Sequence, residues 1–415
     1  MSYVLCPTSY VPRPDVDVGP CHLPGTVPDF GVTNLSTTDL LARFIAIDTV
    51  SRNSNLALAD SIADLLDRPG VTITRVPSPD GAKANLVIRL GPEIDPVTRD
   101  GLVLSGHMDV VPADEPEWTT DPFTLTDLGD TWAGRGTADM KGFLAVAVER
   151  ARRIDPIRLR HPLVLLFTYD EELGTLGAHD LVSRWEPVHR LPRAALIGEP
   201  TELRPVRLHK GHLKLRLAFA GVPAHSGYPH LGRNAIEPAG RAIVALSDLR
   251  ADLERERTST SEHFAEVPWV PLNVAQVEGG VAINVVPDRC VIDVGIRLLP
   301  GMLRDAMIAR VRETVAHAVG RDNFTLEMLG DSPPLHLDAS CGTWHRMAEL
   351  AGPHPEESVS FATDAGWFQT VGMECVICGP GTIDVAHKPN ETVPKADLAA
   401  AARLLDRVLQ EWVLS

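Results

Sequence analysis

The chain has 415 residues, with 55 acidic side chains against 39 Lys and Arg and a formal net charge of −16. At about 150 residues per domain this length predicts two or three domains, each large enough to bury a core. The acidic balance speaks against nucleic acid or an anionic membrane as the main partner, because phosphate binding needs clustered Lys and Arg. No apolar run approaches the ~20 residues of a membrane span, and the N-terminus lacks the basic start and apolar core of a signal peptide. A soluble, cytoplasmic protein is expected.

Residues 1–35 carry six prolines and no apolar period, and read as an extended lead. From Ser36 the pattern becomes periodic, with Leu40, Leu41, Phe44 and Ile45 on one helical face behind Ser/Thr capping candidates. The apolar runs at 102–104, 163–167 and 194–197 have strand length, and 139–153 reads as a helix. Buried strands alternating with helices predict an α/β domain with a mixed, largely parallel sheet. Near residue 207 the pattern changes. Residues 213–219 alternate strictly, as a one-sided strand does. A helix over 235–253, strands near 272–277 and 291–299, a helix over 302–319 and a strand over 324–329 complete the order β-α-β-β-α-β, which is ferredoxin-like. The α/β pattern then returns, with a strand at 375–378 and a closing helix over 395–412. The expected domains are the lead over 1–35, a catalytic domain built from 36–206 and 330–415, and an inserted domain over 207–329.

Six cysteines, Cys6, Cys21, Cys290, Cys341, Cys375 and Cys378, are too few and too scattered for a disulfide framework. Cys375 and Cys378 form a C-x-x-C inside an apolar, strand-like run, where i and i+3 side chains point to opposite faces. Both are expected in the core, without a redox role.

Four polar motifs stand just past the apolar strands, where open α/β sheets place their sites. In SGHMD, His107 precedes Asp109 by two residues, a spacing that suits a metal ligand oriented by a carboxylate. GRGTADMKG offers Asp139 among glycines that allow close backbone approach; Asp139 stands where a dinucleotide-binding loop has its third glycine, and the Walker pattern is absent. YDEELG places Asp170, Glu171 and Glu172 at the end of a wholly apolar run, a costly position for carboxylates unless something neutralises them. IGEPT supplies Glu199, and far downstream AHKPNE supplies His387. Each motif alone has an ordinary alternative: a solvated loop, a carboxylate favouring a helix dipole, a capping His. Together His107, Asp139, Glu172, Glu199 and His387 form a donor set for Zn²⁺, Co²⁺ or Mn²⁺. Counting Glu171, the four carboxylates would balance two divalent ions. Expected is a two-metal hydrolytic site, with ions about 3.5–4 Å apart, a bridging Asp, and Glu171 free beside the reacting water.

SGHMDVVP, GRGTADMKG, DEELG, GEPT and AHKPNE, in this order with the insertion between the fourth and fifth, resemble the motifs of the co-catalytic zinc aminoacylases and exopeptidases, over residues 38–412. Within that family LIGEPTELRPVRLHKGH, SFATDAGWFQ and GPGTIDVAHKPNETV look closest to the acetylornithine deacetylases. The resemblance implies hydrolysis of N2-acetylornithine to ornithine and acetate, of the arginine-biosynthesis type. It leaves open an N-succinyl or other N-acyl amino acid deacylase, a dipeptidase or carboxypeptidase, and a catalytically inactive binding module. It implies two divalent ions, Zn²⁺ first: His107 and Glu199 on one, Glu172 and His387 on the other, Asp139 bridging. Asp109 would orient His107, and Glu171 would be the general base. His225 would be a lid histidine that reaches a neighbouring subunit's site and binds the oxyanion, with substrate contacts from Asn284, Arg297 and Thr363. The inserted domain would pair the chain into a homodimer. Ala138, beside the bridge, departs from the Cys often found there.

Overall fold

A computed structural model describes residues 35–352 and 358–414; but for Leu35, the expected lead segment lies outside the described residues, as do Cys6 and Cys21. Ser36 and Asp39 form a capping box that starts α1 (Thr37–Ile45), whose Leu40, Leu41, Phe44 and Ile45 are buried. Then come α2 (Leu56–Leu66), β1 (Val71–Pro77), β2 (Ala84–Leu90) and β3 (Leu102–His107). Next are α3 (Lys141–Arg153), β4 (Leu163–Thr168), α4 (Leu176–Arg184) and β5 (Ala194–Pro200). Helix α3 begins two residues later than its apolar period indicates, so Asp139 belongs to the turn before it.

The inserted unit runs β6 (His212–Ala220), α5 (Ile236–Arg255), β7 (Leu272–Gly279), β8 (Arg289–Ile296), α6 (Arg304–Val319) and β9 (Thr325–Ser332). The chain closes with α7 (Gly342–Ala351), α8 (Ala365–Thr370), β10 (Glu374–Gly379) and α9 (Lys395–Leu409).

Six strands make the central sheet in the order β1-β2-β4-β3-β5-β10. β4, β3, β5 and β10 run parallel, and β1 and β2 add an antiparallel edge. Leu102, Leu104, Leu163, Leu165 and Phe167 turn into one core, shared with α1, α3 and α9. Val103, Val164 and Leu166 turn into a second core with residues of α4 and α8. Because both faces are covered, these strands read as unbroken apolar runs. Cys378 joins the first core and Cys375 the second; burial pushes both thiols up, Cys378 to about 12.

The inserted unit has the ferredoxin-like order, an antiparallel sheet β7-β8-β6-β9. Leu213, Leu215, Leu217 and Phe219 pack with residues of α5 and α6. The intervening residues of β6 therefore look away from the helices. Among the described residues no helix is long and apolar enough to cross a membrane.

Candidate metal centre

His107 closes β3 and is buried. Its Nδ1 lies 2.9 Å from the backbone carbonyl of Asp109, and its Nε2 2.9 Å from Asp139 Oδ1. With Nδ1–H donating to that carbonyl, Nε2 is the atom available to a cation. The Asp109 carboxylate stays 3.7 Å from the imidazole. It accepts instead from the backbone N–H groups of Glu171 (3.0 Å) and Glu172 (3.3 Å) and from the Ser51 hydroxyl (2.7 Å). The Asp109 backbone thus orients His107, while its carboxylate fixes the chain that carries the two glutamates.

Asp139 is presented by a turn that a buried carboxylate holds in shape. Glu391 Oε1 accepts from the backbone N–H of Ala138 (2.8 Å) and Asp139 (3.0 Å), and Oε2 from that of Gly136 (2.9 Å) and from Arg135 (3.0 Å). Gly136 has φ +87°, and a Cβ there would come within 2.8 Å of Val110, so the turn needs glycine.

The acidic triplet divides. Asp170 pairs with Lys83, away from the other two. Glu172 Oε2 lies 2.9 Å from His387 Nε2, and the same nitrogen is 3.3 Å from Asp139 Oδ2. His107, Asp139 and Glu172 present ligand-type atoms all within 4.8 Å of one another. Glu199, near the end of β5, is buried. Asp139, Glu171, Glu172, Glu199 and His387 line a single cleft of about 190 Å³.

Burial, with the Glu199 carboxylate nearby, pushes Glu171 well above its ordinary value; burial and Asp139 do the same to Glu199, and raise Glu172 to about 7. Burial opposes a charge on His107, but Asp139 outweighs it and raises the imidazole; hydrogen bonds donated to Asp139 and Glu172 carry His387 up to about 10. Burial likewise opposes the Asp139 charge, yet the two imidazoles hold that carboxyl below its usual range. Carboxylates crowded to this degree are stabilised by cations, and two imidazole nitrogens facing the two oxygens of one shared carboxylate, Asp139, match the donor chemistry of divalent transition metals. The residues fit metal ions.

Residues 103–411 match the peptidase family M20/M25/M40. The chain belongs to that family. It is 34% identical over 377 residues to a protein of Proteus mirabilis named acetylornithine deacetylase, covering 89% of this chain and 93% of that one. A Photorhabdus laumondii protein of the same name is 32% identical over 391 residues, 92% of this chain and 96% of that one. Among solved structures, an M20-family metallo-carboxypeptidase of Sulfolobus solfataricus shares the fold with a TM-score of 0.74 at 18% identity, over 91% of this chain and 99% of that one. A Bacillus subtilis protein described as a dinuclear metal-binding M20 peptidase has a TM-score of 0.62 at 14% identity, over 91% of this chain and 98% of that one. The chain is a hydrolase of amide bonds.

The other residues implied for this M20 hydrolase are scattered. Arg297, just past β8, lines the cleft. His225 and Asn284 are exposed on the inserted unit and do not line it. They lie close to each other: the Asn284 carbonyl accepts from the Ser226 N–H at 2.9 Å, and His225 Nδ1 accepts from the Gly227 N–H at 3.0 Å. Thr363 does not line the cleft. It is fully buried, its hydroxyl accepting from the Ala365 N–H at 3.1 Å and standing 3.3 Å from His209 Nε2. Phe361 and Ala362 form the cleft wall in its place. Glu391 went unassigned by the sequence pattern although it ends the AHKPNE motif. His212, which ends the LIGEPTELRPVRLHKGH stretch, and Lys214, which belongs to no motif, are also cleft residues without an assigned role.

Proposed function

We propose that this M20 hydrolase removes the acyl group from an N-acyl amino acid, with N2-acetylornithine, the substrate in its relatives' names, hydrolysed to ornithine and acetate. The observation that carries the proposal is the convergence of Asp139, Glu171, Glu172, Glu199 and His387 on one cleft, with the buried His107 directly behind them against Asp139. His107 and Glu199 would hold one divalent ion, Glu172 and His387 the other, with Asp139 between. Such ions, Zn²⁺ first and Co²⁺ or Mn²⁺ as alternatives, polarise an amide carbonyl and acidify water. Glu171 takes the water's proton and returns it to the leaving amine, a task for which its raised pKa suits it. Arg297 forks onto the substrate's α-carboxylate.

Residues 36–206 and 330–415 serve as the catalytic domain in this proposal, and 207–329 as the surface that pairs two copies into a cytoplasmic homodimer. Exposed Tyr228, Val281 and Ile283 surround His225 and Asn284 and support burial of that patch by a second copy. His225 would then stabilise the oxyanion in the other copy's cleft. Mixing inactive Glu171→Gln chains with inactive His225→Ala chains should restore up to about half the native activity in each hybrid dimer. Exchange of subunits without recovered activity contradicts the trans role.

The function itself is tested with a panel of N-acetyl, N-formyl and N-succinyl amino acids and dipeptides, assayed with Zn²⁺ and with Co²⁺. Turnover of N2-acetylornithine is the expected result, abolished by a chelator. Failure to hydrolyse any N-acyl amino acid would overturn the proposal.

A further inference from the structure

Glu171 opens a tight turn whose backbone needs support from outside. Its carbonyl accepts from the N–H groups of Gly174 at 2.8 Å and Thr175 at 2.7 Å, which closes the turn. Two left-handed residues that are not glycine bound it, Asp170 at φ +50° and Thr175 at φ +56°. Such backbone persists only where the surroundings hold it, and a β-branched residue adopts it least readily. At the first end Lys83, just before β2, pairs with Asp170. At the other end the two units of the chain meet. Lys214 of β6 donates its ammonium to the Leu173 carbonyl at 3.2 Å. Ser332, which ends β9, has its Oγ 2.9 Å from the Thr175 hydroxyl, and that hydroxyl also accepts from Trp367 Nε1 at 3.0 Å. Lys214 pairs across the sheet with Gly330, and Ser332 with His212, so both residues belong to the face that carries no helix. Among the described residues no carboxylate lies within ion-pair distance of Lys214, so its half-buried charge rests on that one carbonyl.

A carboxylate that moves a proton is aimed by the backbone that carries it, and a misplacement of about 1 Å can cost about 10²-fold in rate. Asp109 fixes the start of the turn through the N–H groups of Glu171 and Glu172. We propose that Lys214 and Ser332 are positioning residues for the hydrolysis, which clamp the far end of the turn and so aim Glu171. The alignment of the general base then depends on the seat of the inserted unit, whose part in the reaction extends beyond pairing with a second copy. The inference rests on the role of Glu171 proposed above.

The test joins kinetics to hydrogen exchange on the Zn²⁺-loaded protein. Lys214→Met keeps the stem and removes the ammonium. It should lower kcat for N2-acetylornithine about 10-fold and leave KM within about 2-fold, and Lys214→Arg should recover most of the loss. Placed in a Glu171→Gln chain, Lys214→Met should cost less than about 2-fold more, because the carboxylate it aims is gone. Hydrogen exchange of a peptide covering residues 170–176, read without substrate, should quicken about 10-fold in Lys214→Met and in Ser332→Ala. The change belongs to the two N–H groups that donate to the Glu171 carbonyl, and peptides from β4 should stay as they were. That reading needs no turnover, so it stands or falls apart from the identity of the substrate. Unchanged exchange, a rise in KM with kcat intact, or an equal loss of kcat in both backgrounds would overturn the inference.

Discussion

Both sheets bring unmatched charge to the cleft, and they stabilise it in opposite ways. At the strand ends of the six-stranded sheet, Asp139 is braced by two imidazoles and by a turn tied to Glu391, and Glu171 and Glu172 by backbone bonds to Asp109. Across the cleft, Lys214 and Arg297 on the four-stranded sheet meet one carbonyl and no close carboxylate. Carboxylates carried on a braced backbone suit ions that stay through many turnovers. A guanidinium without a close carboxylate suits an anion that enters and leaves each time.

That contrast predicts where each substitution acts. Glu171→Gln should lower kcat by at least ~10²-fold while the metal stays bound, because it removes the base and keeps the shape. Steady-state kinetics beside elemental analysis read both quantities. Metal lost from Glu171→Gln as fully as from Glu172→Gln would break the division of roles. Glu391→Gln touches no substrate, yet it weakens the cradle of the Asp139 turn. Metal affinity should fall about 10- to 100-fold, with activity recovered at excess metal. Chelator competition measures this; normal affinity with lost activity would show that Glu391 does not act through Asp139.

On the other sheet, Arg297→Met should raise KM about 10-fold with little change in kcat and none in metal content. A fall in kcat that matched the rise in KM would mean that Arg297 acts in the transition state, and would blur the contrast. The smallest effect belongs to Arg216→Ala. Its ion pair with Asp293 is partly exposed, so its loss should show only as a small shift in Tm with kinetics intact. A KM change as large as that of Arg297→Met would show that the whole face binds substrate.

The two sheets also differed in how legible they were. Strands buried on both faces announce their ends, since a polar motif directly after LVL or LVLLF has few places to go except the sheet's edge. That brought His107, Glu172 and Glu199 forward as candidates before any fold, whereas Asp139 sits in a turn before a helix and was marked only by its glycines. β1 and β2 carry strand-like residues, but no motif follows them, so the antiparallel edge had nothing to mark it. Glu391 works through backbone donors of a turn far away in the chain, which no local pattern encodes. Thr363 shows a related limit: a motif match names a residue type, while its depth is decided by packing, here against His209. Lys214 occupies a polar position of an alternating strand, like any solvent-facing lysine. Only the approach of β6 to Gly174 gives it a site.

The central claim is that the cleft is a two-metal amidohydrolase centre, and metal titration tests it most directly. Protein stripped with a chelator would be titrated with Zn²⁺ or Co²⁺ while bound metal and hydrolysis of N2-acetylornithine are followed together. Activity should be absent at the start, rise with occupancy and level off at two ions per chain. Full turnover by protein shown to contain no metal would contradict the account.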